Sequence, residues 1–222
     1  MKKFSIIVAG GKGQRMGSDL PKQFLMLKGK PVLMRTLEIF SDYDPSMKII
    51  LALPENYIPH WKELCSKYHF NKAVSIVAGG ETRYHSVKNA LEIIEEEGIV
   101  AVHDGVRPLI TSPLIDRCFR ATEKFKNAIP CIPVSESMRE VNGDKNHRVD
   151  RSKYVLIQTP QVFEVQLLKE AFRQSYRDEF TDEASLIETL SIPVHLVEGI
   201  PHNIKITNRA DLVFAEAILR EG

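Results

Sequence analysis

The chain has 222 residues, enough to bury a substantial core, and its 43% hydrophobic and 27% charged content is that of an ordinary globular protein. A formal net charge of +1 argues against a broad nucleic-acid-binding face, so any cationic site has to be local. The length predicts one domain over residues 1–222, with the polar segment 135–152 as an appendage.

The first predicted element is a buried strand, Phe4–Val8. It breaks into Ala9, Gly10, Gly11 and Gly13, a loop that can turn tightly and aim bare N–H groups at an anion. Arg15 and Lys22 add full positive charge beside it, which is what a triphosphate needs. The loop is neither of the two commonest phosphate motifs. The residues five after Gly10, Gly11 and Gly13 are Arg15, Met16 and Ser18, so G-x-x-x-x-G-K-[ST] fails. G-x-G-x-x-G starts at Gly11 but finds Met16 for its third glycine, and Met34-Arg35-Thr36 supplies no acidic residue for a ribose. Both observations disfavour a nicotinamide cofactor. For the glycines alone, a plain strand-to-helix turn with solvated cations stays open.

Next come a helix with Leu33, Leu37 and Phe40 at helical spacing and Pro31 in its first turn, then strands Lys48–Leu53 and Ala73–Val77. Gly79-Gly80-Glu81-Thr82-Arg83 opens a second helix carrying Tyr84, Val87, Leu91 and Ile94, with Ser86 one turn in. Two glycines there admit a flat base and Arg83 could hold an anion; a helix entry capped by Thr82 is the plainer alternative. Strand Val100–His103 delivers Asp104, Gly105 and Arg107. A carboxylate beside a polyphosphate site is the usual means of holding Mg²⁺, and Arg107 could grip a second anionic ligand. Alternatively Asp104 and Arg107 pair with each other. His103, without partners at ligand spacing, reads as structural.

Strand Ala128–Pro133 leads into the polar segment Ser135–Ser152, where Asn142-Gly143 predicts a type I′ hairpin. So polar a hairpin makes no core of its own: it is either an arm packed on a second subunit or a solvated surface loop. Further strands are expected at Tyr154–Gln158, Val194–Val197 and Asn203–Ile206, with a helix capped at Thr181 and Lys205 near the start of the last helix. This alternation predicts an α/β fold with a mostly parallel sheet. Cys65, Cys118 and Cys131 form no C-x-x-C pair and read as core thiols of a reduced protein. The N-terminus enters a strand without the apolar core of a signal peptide, and no run reaches membrane-spanning length, so a cytoplasmic location is expected.

Taken in order, Ala9–Gln23, Gly79–Ser86, His103–Pro108, Val149-Asp150-Arg151, Gln158–Gln161, Thr181–Ser185 and Val197–Thr207 resemble the 2-C-methyl-D-erythritol 4-phosphate cytidylyltransferase family over essentially the whole chain. The resemblance implies a Rossmann-like α/β domain whose β-arm interlocks with a twin in a homodimer, and a soluble enzyme with no nucleic-acid or membrane partner. It implies that Ala9, Gly10, Gly11, Gly13, Arg15 and Lys22 hold the triphosphate of CTP, and that Gly105 also binds the nucleotide. Gly80, Glu81 and Ser86 would line the cytosine and ribose site, supported by Arg83. Asp104 would ligate Mg²⁺. Arg107, Ser137, Arg151, Thr159 and Lys205 would surround methylerythritol phosphate, Arg151 reaching across from the partner's arm. Arg15, Lys22 and Lys205 would act catalytically. Ser137 where Thr is usual, Gly105-Val106 for Ala-Ala and Val8 for Pro depart from the pattern without removing a charged group. The sister ribitol-5-phosphate cytidylyltransferases share the glycine loop, but Val149-Asp150-Arg151, Thr181–Ser185 and Val197-Glu198-Gly199 look more like the methylerythritol branch. A non-catalytic nucleotide-binding protein on the same fold is a more distant alternative. Retention of Arg15, Lys22, Asp104 and Lys205 together argues against it.

Overall fold

Alternation in the first strand, β1 (Lys3–Val8), explains why the sheet is covered on both sides. Phe4, Ile6 and Val8 face one apolar cluster, Ile7 and Ala9 the other, and all five are buried. In this computed structural model residues 1–11 and 20–221 are described, so Gly13 and Arg15 lie outside the described residues. After β1 come the short pair β2 (Met26–Leu27) and β3 (Lys30–Pro31), then α1 (Val32–Tyr43), β4 (Lys48–Leu53), α2 (Ile58–Lys67), β5 (Val74–Ala78) and α3 (Arg83–Glu92). The middle of the chain supplies β6 (Ile99–Asp104), α4 (Ser112–Phe125), β7 (Asn127–Pro133), β8 (Arg139–Asn142), β9 (Lys145–Arg148) and β10 (Val155–Ile157). β11 (Gln161–Glu164), α5 (Val165–Ala171), α6 (Glu183–Glu188), β12 (Leu196–Glu198) and α7 (Arg209–Glu221) complete it.

The main sheet runs β10-β7-β11-β6-β1-β4-β5, with β12 paired to β7. The pairs β6–β1, β1–β4, β4–β5 and β7–β12 are parallel, whereas β11 and β10 run antiparallel to their neighbours. The sheet is therefore mixed but mostly parallel, as the alternating pattern predicts. One face packs on α3, α5 and α6 through residues such as Tyr84, Val87, Leu168 and Ile187. The other packs on α1, α2 and α4 through Leu33, Leu37, Phe40, Trp61 and Phe119. A third cluster, including Leu27, Val106, Leu109, Ile206 and Ala215, seats α7 against the loop after β6.

Three local expectations are corrected, and one strand went unpredicted. Asn203–Ile206 is not a strand; its backbone makes isolated bonds, Asn203 N–H to Ile200 O at 3.1 Å and Ile206 N–H to Val106 O at 2.9 Å. Gln161–Glu164 is a strand that the pattern did not reveal, being four residues between Pro160 and α5. The helix in the Thr181 segment is capped one residue later, where the Asp182 carboxylate accepts from Ser185 N–H at 3.0 Å. The hairpin forms, but Asn142 pairs with Lys145, so Gly143 and Asp144 occupy the turn. Only Gly143 there has positive φ, +58°, so the turn is not the type I′ form that Asn-Gly favours.

The hairpin's strands are exposed throughout, as are all three residues of β10. Among the described residues no helix is long and apolar enough to cross a membrane.

Candidate active site

The parallel strands end along one edge, where ligands of such sheets bind. β1 runs out into Ala9, Gly10 and Gly11, β5 into Gly79 and Gly80, and β6 ends on Asp104. Residues of those ends, together with Lys22, Glu81, Arg83, Ser86 and Lys205, line one cleft. Ten of the sequence-predicted residues are thus gathered from five separate segments, whereas Gly105, Arg107, Ser137, Arg151 and Thr159 do not line this cleft. Gln23, Thr82 and Val106 line it as well.

Each wall is held by polar side chains that are themselves buried. The Gln23 amide donates to Ala9 O at 2.7 Å, tying the loop after β1 to the turn that carries Lys22. Opposite, the Ser86 hydroxyl accepts from Gly80 N–H at 3.0 Å and donates to Thr82 O at 2.9 Å. Thr82 caps α3, as the plain helix-entry reading expects, and the same turn lines the cleft. Gly80 is required by space: a Cβ there would lie 2.3 Å from the Cβ of His85. Gly105 does not line the cleft; it packs beneath the loop, where a Cβ would meet Leu33 and Ala9.

Asp104 is the electrostatic centre. Its Oδ1 faces Arg83 Nε at 3.6 Å, and its Oδ2 faces Arg107 Nε at 3.3 Å and Lys205 Nζ at 3.1 Å. Burial works to raise this carboxyl, but the three cations win and hold it well below the usual carboxylate range. Arg83 also makes a two-pronged pair with Glu183, at 2.5 and 2.8 Å. Burial opposes the Arg83 charge, yet Glu183 and then Asp104 raise its pKa. Glu183 is 1% exposed, and burial raises its carboxyl against the pull of Arg83.

Behind Asp104, His103 is fully buried and burial pushes it down to about 3, helped by Arg107 and opposed by Asp104. The neutral ring fits its partners when Nε2–H donates to Arg107 O (3.3 Å) and Nδ1 accepts from Thr159 (3.0 Å), the proton being assigned from these contacts. The Thr159 hydroxyl accepts in turn from Asp104 N–H at 3.1 Å. Thr159 is thereby fixed against the end of β6, and His103 is structural, as read.

Lys205 stands on a loop pinned at several points. Gln158 exchanges bonds with Ile200, at 2.8 and 3.2 Å; the Asn203 amide donates to Thr159 O at 2.7 Å; and Arg107 Nη1 donates to Asn203 O at 2.7 Å. Ser137 and Arg151 are exposed near the hairpin and do not line the cleft of their own chain; Arg151 donates to Ser135 O.

The donor set suits Mg²⁺ in one way only. Among the described residues no group of three His, Cys, Asp or Glu could cage a metal. A single strand-end carboxylate beside a cationic, glycine-lined cleft suits an ion that keeps phosphate oxygens and water as its other ligands.

The sequence pattern of the family described as IspD, 2-C-methyl-D-erythritol 4-phosphate cytidylyltransferase, matches residues 4–221. The chain belongs to that family. A 2-C-methyl-D-erythritol 4-phosphate cytidylyltransferase of Bacteroides thetaiotaomicron is 52% identical over 219 residues, covering 99% of this chain and 100% of that protein. Among solved structures, the enzyme of that name from Thermus thermophilus superposes with a TM-score of 0.82 at 32% identity, covering 99% and 100% of the two chains. The Francisella tularensis enzyme gives 0.81 at 33%, with 98% and 99% covered. Within this member of the family, three residues that build the site carried no predicted role: Gln23, Glu183 and Asn203. Each is a polar side chain at most 1% exposed, and no periodicity marks such a residue. Their only sequence signal is position, close to Lys22, Asp182 and Lys205.

Proposed function

We propose that this chain transfers CMP from CTP to 2-C-methyl-D-erythritol 4-phosphate, releasing pyrophosphate, as a soluble cytoplasmic homodimer with no nucleic-acid partner. The observation that carries the reading is Asp104 at the end of β6, ringed by Arg83, Arg107 and Lys205 and facing the glycine loop and Lys22 across one cleft. Family membership supports this acceptor over ribitol 5-phosphate.

The acceptor's phosphate oxygen forms a bond to the α-phosphorus of CTP as the bond from that phosphorus to the α–β bridging oxygen breaks. A phosphate monoester has its second pKa at about 6, so the nucleophile is already ionised at neutral pH and needs no general base. The barrier lies in bringing two polyanions together and in the charge on the leaving pyrophosphate. Lys22, Lys205 and Arg15 would neutralise and position that charge. The backbone N–H groups of Gly10 and Gly11 would cradle the phosphates, and Gly80, Glu81 and Ser86 would seat the nucleoside. Mg²⁺ held by Asp104 would supply further neutralisation of the triphosphate when bound.

Arg107 and Thr159 stand beside Asp104 and would form the floor of the acceptor site. Ser137 and Arg151 would complete it from the partner's arm. Support for the dimer comes from exposed apolar groups at the hairpin and its neighbours: Val141, Tyr154, Val155, Leu156, Ile157 and Leu196.

The deciding experiment is pyrophosphate release with CTP and Mg²⁺, comparing methylerythritol 4-phosphate with ribitol 5-phosphate. Release with the former alone is expected. Release with ribitol 5-phosphate alone would move the chain to the sister activity, and silence with both in protein that binds CTP would refute the reading.

A further inference from the structure

Arg83 stands between two carboxylates, and how it divides itself between them decides what Asp104 can still bind. Both terminal nitrogens of its guanidinium are committed to Glu183, at 2.5 and 2.8 Å. Toward Asp104 its nearest nitrogen is Nε, and at 3.6 Å that is beyond a good hydrogen bond. The other oxygen of Asp104 is occupied more closely, by Arg107 at 3.3 Å and Lys205 at 3.1 Å. Oδ1 is therefore the less encumbered oxygen of the cleft's buried carboxylate. The buried side chain of Glu183 is hydrogen-bonded to Arg83, and its own charge repels that of Asp104.

The main chain explains why Glu183 is so placed. It is the first residue of α6, just after the Asp182 cap, and Gln161 ties this turn to β11 by bonds to Asp182 Oδ2 (2.8 Å) and from Ala184 N–H (3.0 Å). The carboxylate is thus fixed to the sheet that carries Asp104. Without its charge, the strongest anionic partner left to the Arg83 fork would be Asp104, because Asp182, the other carboxylate acting on Arg83, is held by Gln161 and Ser185. Asp104 Oδ1 already faces Nε. A planar fork favours two-pronged binding of a carboxylate, so it would close on that oxygen.

We propose that Glu183 is a positioning residue that, by anchoring Arg83, keeps Asp104 Oδ1 available to the divalent cation arriving with the nucleoside triphosphate. This rests on the reading of the cleft given above. Glu183→Gln keeps the shape but removes the charge and turns a donor toward the guanidinium. CTP binding measured by calorimetry, with Mg²⁺ and again with EDTA, reads the effect. In wild type, Mg²⁺ should tighten CTP binding. In E183Q that tightening should shrink on the order of tenfold, the scale of one charge-assisted hydrogen bond redirected onto Asp104, while metal-free binding is no weaker. The Mg²⁺ concentration for half-maximal turnover should rise by a similar factor.

A merely structural role would weaken CTP binding equally with and without Mg²⁺, and that outcome would overturn the inference. So would an unchanged Mg²⁺ increment. If E183Q melts below the assay temperature, Arg83→Gln is compared with R83Q/E183Q, in which a neutral amide pair replaces the ion pair. Because Glu183 acts through Arg83, these two variants should share one Mg²⁺ requirement; a tenfold difference between them would overturn the inference. Wild type that binds no CTP would instead overturn the reading of the cleft, and the inference with it.

Discussion

Acidification from about pH 7.5 to pH 5 should cost this fold about 2 kcal/mol through His103 alone. In the folded chain burial pushes that imidazole from 6.5 down to about 3. In the unfolded chain it titrates near 6.5, so below that pH the unfolded state binds a proton that the folded state refuses. Stability from this group is therefore present above pH 6.5 and is lost progressively as the pH falls toward 3. At about pH 5 the folded ring is still neutral, while the unfolded ring sits about 1.5 pH units below its pKa, and each unit is worth about 1.36 kcal/mol. For a chain of this size that is a fall of roughly 4–8 °C in Tm. The assay is denaturant and thermal unfolding at both pH values for wild type and His103→Gln. The amide can still donate to Arg107 O and accept from Thr159 but cannot take up the proton. The pH-dependent loss should be smaller by about 2 kcal/mol in the variant, and the difference isolates His103 from Glu183, whose raised carboxyl acts in the opposite direction. Equal pH dependence in the two proteins would refute the assignment of a neutral, network-bound His103.

Lys22→Ala should lose on the order of 10²–10³ in kcat while keeping its melting temperature within a few degrees, because the lysine faces the cleft; near-normal turnover would remove it from the catalytic group. Gly80→Ala forces a Cβ to within 2.3 Å of the His85 Cβ, and the start of α3 must shift. A cost of about 1–3 kcal/mol in unfolding is expected, with KM for CTP raised and KM for the acceptor little changed. Leu156→Asp places a charge in the middle of β10, where Leu156 is 52% exposed in the isolated chain. Sedimentation should then find a monomer with weakened acceptor binding, whereas a persistent dimer would mean that β10 is not at the interface.

The parallel half of the sheet was legible because each of its strands is an apolar run bounded by turn residues, and its central strands are buried on both faces. β4 spans Lys48–Leu53 as the pattern predicts, and β1 and β6 differ from expectation only at their ends. What the pattern hid is antiparallel. β11 enters between β6 and β7 on only four residues, and Val162 and Phe163 alone mark it as buried, too short a run to separate from the start of α5. The expected strand at Asn203–Ile206 misled for the converse reason. Its alternating Ile204 and Ile206 look like a strand, but Ile206 packs under α7, and the Asn203 side chain replaces ladder bonds by clamping Thr159.

Legibility of the site follows the same physics. Glycines and cations clustered at strand ends stand out because that combination is what a bound polyanion needs, even where a glycine such as Gly80 also has a packing reason to be there. Counter-ions and clamps do not stand out: Glu183 has the appearance of an acidic first-turn residue of a surface helix, yet it is buried on Arg83. The charge balance explains why such a residue is needed. Around Asp104, Arg83, Arg107 and Lys205 meet Asp104 and Glu183, with Asp182 acting on Arg83 from beside the cluster, and partly buried charges of this kind are costly unless each is paired. Two of the cations, Arg83 and Lys205, line the same cleft as the glycine loop and Lys22, on the side where a polyanion would lie. Glu183 pairs the buried Arg83 within the chain before a ligand arrives, and it holds the guanidinium where it need not collapse onto Asp104.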